Sequence, residues 1–415
     1  NQKVTLPDVP KVKGYTNLGW TTEKGKTEPE YSAGDTVKIT KATQFYAVRR
    51  KSNYYTVSYY LGNGSTNAAY QKLTQTVEEG TVVTFAKVPA RTGYVNQGWS
   101  SKKNSEKATA KAKCTVNKNI TLYAVQKKAV QLTFHRCDGS TWQKTTLAKG
   151  SSYSLPGVRD AEGYTFMGWS TKPMQSVSPQ YEAEEKITVN GNVDLYAVVF
   201  NRTTETDLTE DQLPQVDIYK YKQVIFVGDS RTEFMENVLT GMGESATKNV
   251  KFVCSAGKGL DWFTTTGWAQ LYSIVQHDSN SILSKKTAVI FNFGVNDLSK
   301  SADYAEYYNW IAPQLKSKGC ELYFMSVNPV NRLMLPNAGR ADRSEAAVRS
   351  FNQYMKANLS SAYTYIDMYS YLKSTGYSFA SDHYGTGTVD DGLHYTTRTY
   401  KRIVAKCMDS WRVPA

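Results

Sequence analysis

Three residues in the second half of the chain have the types and spacing needed for nucleophilic catalysis. Ser230 directly follows an apolar run and stands at the predicted start of a helix, while Asp391 and His394 lie three residues apart with a glycine between them. A serine hydroxyl attacks poorly at neutral pH unless a base takes its proton. A histidine held in one tautomer by a carboxylate is such a base. The sequence therefore predicts Ser230 as nucleophile, His394 as base and Asp391 as the orienting acid, with the adjacent Asp390 as an alternative for the acid.

Two other segments could stabilise the negative charge that such an attack creates. The segment 255–259 contains Ala256, Gly257 and Gly259, and the segment 294–297 contains Asn296. We predict an oxyanion hole made by the backbone amides of Ser230 and Gly257 and by the side-chain amide of Asn296. One such donor contributes ~3–4 kcal/mol. Gly259 and Ala256 remain alternatives for Gly257.

Four residues are candidates for lining the substrate pocket. Trp262 follows the 255–259 segment, Arg231 is next to Ser230, and His383 and Tyr384 lie in a glycine-rich segment before Asp391. Arg231 could instead bind a backbone carbonyl, and Trp262 could be a core residue. The sequence has no zinc, Walker or complete dinucleotide motif, so we expect no metal and no cofactor.

The elements that must position these residues alternate along residues 222–415. Apolar strand-like runs at 224–227, 250–254, 288–293, 322–327 and 363–368 are separated by helical patterns at 231–239, 261–276, 304–317, 344–358 and 397–411. Such alternation predicts a parallel five-stranded sheet covered by helices on both faces. Ligands bind such sheets at the carboxyl ends of the strands, which is where Ser230 and Asn296 fall.

The first half of the chain is a tandem repeat. A Gly-Tyr pair is followed five residues later by Gly-Trp and then by Tyr-Ala-Val, and this pattern recurs three times, at Trp20, Trp99 and Trp169. Alternating segments closed by Asn-Gly or Asp-Gly predict β-hairpins. The predicted organisation is a partial β-repeat at 1–50, β-repeats at 53–126 and 129–200, a polar linker at 201–221 and an α/β domain at 222–415. Because the first repeat lacks its opening hairpin, we expect the natural protein to extend upstream of Asn1.

These motifs resemble two known families. The repeats are similar to the internalin-type B-repeat, or Listeria–Bacteroides repeat, which implies β-grasp-like modules on bacterial surface proteins. Residues 222–412 resemble the SGNH (GDSL) hydrolases, which implies a three-layer, flavodoxin-like α/β domain. The resemblance implies a serine esterase, with the family's block residues falling on Ser230, Gly257, Asn296, Asp391 and His394. It also implies a secreted or cell-surface protein of a bacterium, Gram-positive by the form of the motifs.

Charge and composition limit the kinds of partner that the protein could bind. The 415 residues contain 50 Lys and Arg against 37 Asp and Glu, and residues 1–200 hold 27 basic and 15 acidic side chains. This surplus either keeps the repeats soluble or attracts an anionic cell-wall polymer. The lysines are scattered over β-modules, which argues against nucleic acid. No stretch reaches the ~18 apolar residues of a membrane helix, the five cysteines form no CxxC pair, and we expect a monomer.

Three functions fit these observations. The preferred hypothesis is an extracellular esterase that removes short acyl groups, above all O-acetyl groups, from a polysaccharide or cell-wall glycan through an acyl-enzyme on Ser230. The first alternative is a surface adhesion or glycan-binding protein whose hydrolase-like domain is inactive. The second is a lipase or thioesterase, which would favour an apolar lid.

Overall fold

The chain divides into two compact units. A computed structural model describes residues 2–213, 216, 221–277, 286–335, 343–380 and 391–409. The first unit comprises Asn1–Val130 and Thr146–Lys149, and the second comprises Gln131–Thr145 and Gly150–Ala415. The predicted site residues His383 and Tyr384, and the alternative acid Asp390, lie outside the described residues.

The first unit is built from short strands. They are β1 (Gln2–Thr5), β2 (Tyr15–Thr21), β3 (Thr36–Ile39), β4 (Tyr46–Lys51), β5 (Tyr54–Tyr60), β6 (Gln75–Glu78), β7 (Thr81–Thr84), β8 (Tyr94–Ser100), β9 (Lys113–Val116) and the first part of β10 (Ile120–His135). One helical turn, α1 (Ala68–Gln71), lies between β5 and β6. It brings Tyr70 against Trp99, whose ring also packs on Tyr59 with centroids 4.9 Å apart. The repeated tryptophan is thus a core residue in the second repeat, and the predicted hairpin there contains a short helix.

The third repeat, in the second unit, has the same plan without that helix. Its strands are the end of β10, β11 (Thr141–Ala148), β12 (Ser151–Ser154), β13 (Tyr164–Ser170), β14 (Lys186–Val189) and β15 (Val193–Asn201). Strand β13 pairs antiparallel with β15, and β15 pairs parallel with β10. Trp169 is fully buried and donates its indole N–H to the Pro156 carbonyl at 2.8 Å. This bond satisfies the polar edge of a large ring in the core.

The α/β domain contains five parallel strands, β16 (Tyr221–Gly228), β17 (Val250–Cys254), β18 (Lys286–Asn292), β19 (Cys320–Met325) and β20 (Tyr363–Ile366). Their order in the sheet is β17-β16-β18-β19-β20. Strand β16, between β17 and β18, is buried on both faces. Ile225 and Val227 belong to one apolar core, and Val224 and Phe226 belong to the other. Side chains alternate between faces along a strand, so a continuous apolar run here requires a layer of helices on each side.

The helices of this domain cover both faces. They are α2 (Ser230–Met242), α3 (Glu244–Thr247), α4 (Leu260–Trp262), α5 (Trp268–His277), α6 (Ser301–Ser317), α7 (Glu345–Asn358), α8 (Met368–Thr375) and α9 (Thr397–Asp409). The three-layer parallel fold predicted from the alternating pattern is confirmed. The single helix predicted at 261–276 is instead two helices joined by a π-helical turn, Phe263–Gly267. None of the helices within the described ranges is long and apolar enough to cross a bilayer.

The third repeat and the α/β domain share a hydrophobic core. Met167, Val198 and Phe200 of the repeat belong to the same buried cluster as Phe226 and other side chains of the α/β domain. The Phe200 ring occupies the space that a Cβ on Gly376 would need.

An ionic cluster reinforces this shared core. Lys373 of α8 lies 2.9 Å from Glu182 of the repeat and 2.8 Å from Glu345 of α7, and it donates to the Met167 carbonyl. A buried cation is tolerated only when paired and hydrogen-bonded in this way.

The segment 201–221, predicted as a linker, contains two short 3-10 turns at Arg202–Thr204 and Glu210–Gln212. Glu205 is buried and accepts hydrogen bonds from Arg402 at 3.0 Å and from Thr399. The described part of this segment is therefore packed on the α/β domain.

Candidate active site

The turn between β16 and α2 presents Ser230 at the carboxyl edge of the sheet. Asp229 is the N-cap of α2, and its Oδ1 accepts the Arg231 backbone N–H at 3.0 Å. Ser230 is the first residue of the helix, where backbone N–H groups have no partner within the helix. A Cβ at Gly228 would come 2.0 Å from Thr232 Oγ1. The tight approach of strand and helix therefore requires glycine there.

The residues predicted to form a catalytic triad lie within hydrogen-bond distance of one another. Ser230 Oγ is 2.9 Å from His394 Nε2, and His394 Nδ1 is 2.7 Å from Asp391 Oδ2. The side chains of His394 and Asp391 are almost wholly buried. The ring of Phe234 packs beside the imidazole with centroids 4.7 Å apart. This arrangement can transfer a proton from the serine hydroxyl to the imidazole.

The three-residue spacing between the acid and the histidine closes a tight turn. Asp391 Oδ1 accepts the backbone N–H groups of Leu393 at 2.8 Å and His394 at 2.7 Å. Gly392 has φ +63°, in the left-handed region. A Cβ there would lie 2.3 Å from the Asn331 carbonyl oxygen. The carboxylate thus holds both the ring and the backbone of the histidine.

The predicted oxyanion residues border the same cavity as the nucleophile and the histidine. Ser230, Gly257, Asn296 and His394 all border a cavity of about 420 Å³. Gly257 has φ +70°, a conformation that glycine adopts without strain. The structure thus places Gly257 and Asn296 on the same cavity as Ser230.

The side chain of Asn296 is fixed from both ends. Its Nδ2 donates to the Lys258 carbonyl at 2.7 Å, and its Oδ1 accepts from Arg343 Nη2 at 2.5 Å. Arg343 itself is buried and borders the cavity. A guanidinium donates but cannot accept, so this contact determines which end of the amide carries the N–H groups.

Two carboxylates, buried Asp229 and half-buried Asp297, support the strand-end loops. Asp297 accepts the Leu260 backbone N–H at 2.9 Å and the Tyr304 hydroxyl at 2.7 Å. Burial raises the pKa of Asp297, and burial raises the pKa of Asp229 to about 6. Loss of hydration disfavours the charged form in both cases.

Two of the predicted pocket-lining residues lie elsewhere. Arg231 is buried, and its guanidinium donates to the carbonyls of Leu393, Asn328 and Pro329, each at 3.0 Å. Of the two roles predicted for Arg231, the structure shows the contact with backbone carbonyls, and Arg231 is not among the residues that border the cavity. Trp262 packs against the core beside Phe293, with ring centroids 6.1 Å apart. It does not appear among the side chains that border the described cavity.

Five side chains that border the cavity were not predicted from the sequence: Glu233, Phe234, Asn237, Arg343 and Leu393. The first three follow Ser230 at spacings of three, four and seven, which place them on one helical face. That spacing could have identified them. Arg343 had no local signal. Among the described residues, no group of His, Cys, Asp and Glu has the arrangement of a metal site.

Family models match both halves of the chain. The Listeria-Bacteroides repeat domain matches residues 1–48, 55–125 and 131–198, and the GDSL-like Lipase/Acylhydrolase model matches residues 224–407. The chain therefore carries three Listeria–Bacteroides repeats followed by a GDSL-like acylhydrolase domain. Both predicted resemblances are confirmed.

Several proteins of known sequence or structure are distantly similar to this chain. Two proteins of Evansella cellulosilytica, provisionally named a Gly-rich membrane protein and a membrane protein, are 28% and 25% identical over 44% and 46% of this chain. The chain spans only 20% and 27% of their lengths. The solved structure of a provisionally assigned acylhydrolase from Bacteroides fragilis is 16% identical and covers 48% of this chain and 89% of that one, with a TM-score of 0.30. An acetyl xylan esterase structure is 10% identical and covers 46% and 100%, with a TM-score of 0.32.

Proposed function

We propose that the acylhydrolase domain is a serine esterase that removes short acyl groups, chiefly O-acetyl groups, from a polysaccharide or cell-wall glycan. The observation that carries the proposal is the continuous set of contacts Ser230–His394–Asp391, with separations of 2.9 and 2.7 Å, at the edge of an open cavity. A serine placed this way has a base to take its proton and a carboxylate to stabilise the imidazolium that results.

The first half-reaction forms an acyl-enzyme. Ser230 Oγ attacks the ester carbonyl carbon while its proton passes to His394 Nε2. The carbonyl oxygen becomes an oxyanion that accepts hydrogen bonds from the backbone amides of Ser230 and Gly257 and from the Asn296 side chain. Collapse of the tetrahedral intermediate breaks the carbon–oxygen bond to the alcohol, which leaves with the proton held by His394.

The second half-reaction repeats these steps with water. His394 takes a proton from a water molecule that attacks the acyl carbon, and the same donors hold the new oxyanion. The proton then returns to Ser230 Oγ as the free acid leaves. Each half-reaction needs Nε2 to point at Ser230, and the bond from Nδ1 to Asp391 fixes that orientation.

The described cavity wall favours a polar alcohol over a long acyl chain. Glu233, Asn237, Asn296 and Arg343 border the cavity with three apolar side chains, Phe234, Ala256 and Leu393. Sugar hydroxyls can exchange hydrogen bonds with such a wall, whereas a long alkyl chain would leave its polar groups unsatisfied. We therefore assign the cavity to the alcohol side and a short acyl group to the catalytic serine.

The repeats support a location at a bacterial surface. Listeria–Bacteroides repeats occur in surface proteins, and the chain holds three of them before the catalytic domain. We propose that the protein is secreted or displayed at the cell surface, where acylated glycans are its substrates and its basic repeats meet an anionic wall polymer.

A chain-length series of p-nitrophenyl esters tests the activity. We expect turnover of the acetate ester that declines as the acyl chain lengthens, and acetate release from an acetylated polysaccharide. Ser230→Ala should lower kcat at least about a thousandfold. The control Ser374→Ala removes a hydroxyl in α8 that donates to the Tyr371 carbonyl and should leave kcat unchanged.

Three results would contradict the proposal. A folded wild-type protein without turnover at any chain length would favour the adhesion protein with an inactive domain. A preference for long chains would favour a lipase or thioesterase. Equal activity in wild type and Ser230→Ala would remove the serine from the mechanism.

A further inference from the structure

The catalytic turn at 391–394 rests on a second backbone segment, residues 328–335, which we call the bridging segment. The Asn331 backbone N–H donates to the Gly392 carbonyl at 2.8 Å. The Asn331 carbonyl closes off the space beside Gly392, where a Cβ would meet it at 2.3 Å. Arg231 ties the same two segments together through the carbonyls of Leu393 and Asn328. The position of His394 therefore depends on the position of the bridging segment.

The third repeat holds the bridging segment from its other side. The Asn331 side chain donates from Nδ2 to Asp160 Oδ1 at 2.9 Å and to the Val158 carbonyl at 3.1 Å. Arg332 pairs with Glu184 of the repeat at 2.7 Å, and Arg159 donates to the Leu333 carbonyl. These contacts join residues more than 140 positions apart in sequence, all within the second compact unit.

Asp160 is the anchor of this contact. Its side chain is 1% exposed and pairs with Arg202 at 2.7 Å. Its Oδ1 also accepts the backbone N–H of Phe166 at 2.9 Å. A buried carboxylate with several donors around it has little freedom to move. Asp160 thus links the core of the repeat to Asn331, and Asn331 links it to the turn that carries the histidine.

We propose that the third repeat is a working part of the catalytic domain, in which Asn331, anchored by Asp160, is a positioning residue for His394. This inference rests on the proposed esterase activity. Neither residue needs to touch the substrate. A displacement of a catalytic group by about 1 Å can cost about a hundredfold in rate, so a brace outside the cavity can act on kcat.

Variants of this brace, made in the full chain, test the inference. In Asn331→Ala we expect kcat on p-nitrophenyl acetate to fall at least about tenfold with KM within about twofold of wild type. In Asp160→Ala, kcat should fall by a similar factor. Asp160→Asn keeps the acceptor Oδ1 and should stay closer to wild type, although both Asp160 variants remove the charge opposite Arg202. In the double variant Asp160→Ala/Asn331→Ala the two losses should not multiply, because both remove one link.

A matched control distinguishes an effect on the position of His394 from an effect on the stability of the fold. Arg349 of α7 donates to the Ala183 carbonyl of the repeat at 2.9 Å, so Arg349→Met also removes a contact between the repeat and the catalytic domain. We expect a lower Tm in Arg349→Met and an unchanged kcat at a temperature where all variants are folded.

The outcomes distinguish this inference from the proposed function. An active wild type with unchanged kcat in Asn331→Ala overturns the positioning role alone. Losses of kcat that follow Tm equally in Asn331→Ala and Arg349→Met also overturn it. A folded wild type with no esterase turnover overturns the proposed function and this inference with it.

Discussion

Asp229 is a buried carboxyl group beside the predicted nucleophile. It is 1% exposed, and burial raises its pKa to about 6. Because the folded state holds the proton more tightly than the unfolded chain does, this group's contribution to stability is complete below the ordinary aspartate pKa. That contribution is lost as the pH rises through about 6.

We therefore predict that Asp229→Asn becomes more stable relative to wild type as the pH rises. Asparagine keeps the N-cap oxygen that accepts from Arg231 but carries no charge. The difference in free energy of unfolding, variant minus wild type, should increase by up to about 3 kcal/mol between about pH 4 and about pH 7. Urea unfolding across that range measures it. Asp303→Asn, at an exposed position in the first turn of α6, should give a small and flat difference, and a flat difference for Asp229→Asn would contradict the prediction.

Arg343 gives a second prediction at this scale. Its bond to Asn296 Oδ1 turns the amide N–H groups of Asn296 toward Lys258 and the cavity. We expect Arg343→Met to lower kcat about tenfold with little change in KM, since one oxyanion donor contributes a factor of about 10²–10³. In an Asn296→Ala background the same substitution should have almost no further effect. Steady-state kinetics on p-nitrophenyl acetate decide this, and fully multiplicative losses would show that Arg343 acts independently.

The sequence predicted individual site residues where chemistry and chain order were enough. Ser230, Asp391 and His394 could be proposed because their types define the reaction and their neighbours define strand ends and a turn. For Arg231 the sequence left two roles open, because a residue next to the nucleophile along a helix need not face the same cavity. A residue one position on is turned by about 100°, so Arg231 faces Leu393 and Asn328 instead of the cavity. The contact of Arg343 spans 47 positions, which no local pattern reveals.

At the scale of elements, the join of β16 and α2 sets the position of the nucleophile. Glycine is needed at Gly228 because a Cβ would overlap Thr232 and approach the Asn292 carbonyl at 3.0 Å. Gly241, in the last turn of α2, has open space around its Cβ position. A side chain therefore has no room at Gly228 but fits at Gly241.

We predict opposite effects for alanine at these two positions. Gly228→Ala should destabilise the fold by about 1–3 kcal/mol through overpacking and should lower kcat, because the strand end must move away from α2. Gly241→Ala should stabilise it by about 0.5–1 kcal/mol, since alanine restricts the unfolded chain and favours the helix. Thermal unfolding with kinetics on each variant gives the comparison. A neutral Gly228→Ala would mean that the join is looser than its geometry indicates.

Element type could be predicted from the sequence, but element interruptions could not. In the catalytic domain, the spacing of apolar residues along each helix reflects its one buried face, and each strand is a short apolar run. Both patterns can be recognised from neighbouring residues in the sequence. The π turn at Phe263–Gly267 carries Phe263, whose ring packs on Phe291 of β18 and on Tyr308 of α6. The turn α1 depends on Tyr70 filling the core beside Trp99. Both features arise from tertiary contacts.

At the scale of the whole molecule, nearly all of the positive surplus lies in the first of the two units. Residues 1–130 hold 21 Lys and Arg against 8 Asp and Glu, a surplus of 13, and the remaining 285 residues hold 29 of each. The sequence analysis assigned the surplus to all three repeats. The third repeat is in fact near neutral, as is the catalytic domain that shares its core.

We therefore predict that any binding to an anionic polymer belongs to residues 1–130. The full chain should be retained on a polyphosphate or acidic-glycan matrix at low salt and released as the ionic strength rises, because exposed charges are screened. A chain shortened to residues 131–415 should pass through the same matrix and keep its esterase activity. Retention of the shortened chain, or retention of the full chain that is independent of salt, would contradict the prediction.

The core shared by the third repeat and the catalytic domain also bears on how such a protein can evolve. No side chain before residue 131 belongs to this buried cluster as described. Copies of the repeat before that residue can therefore be duplicated, lost or exchanged with no change to the cluster. The third copy has lost that freedom, because Met167, Val198 and Phe200 must complement the partner they are buried against. The upstream repeats are thus free of that constraint, while the third can change only together with the catalytic domain.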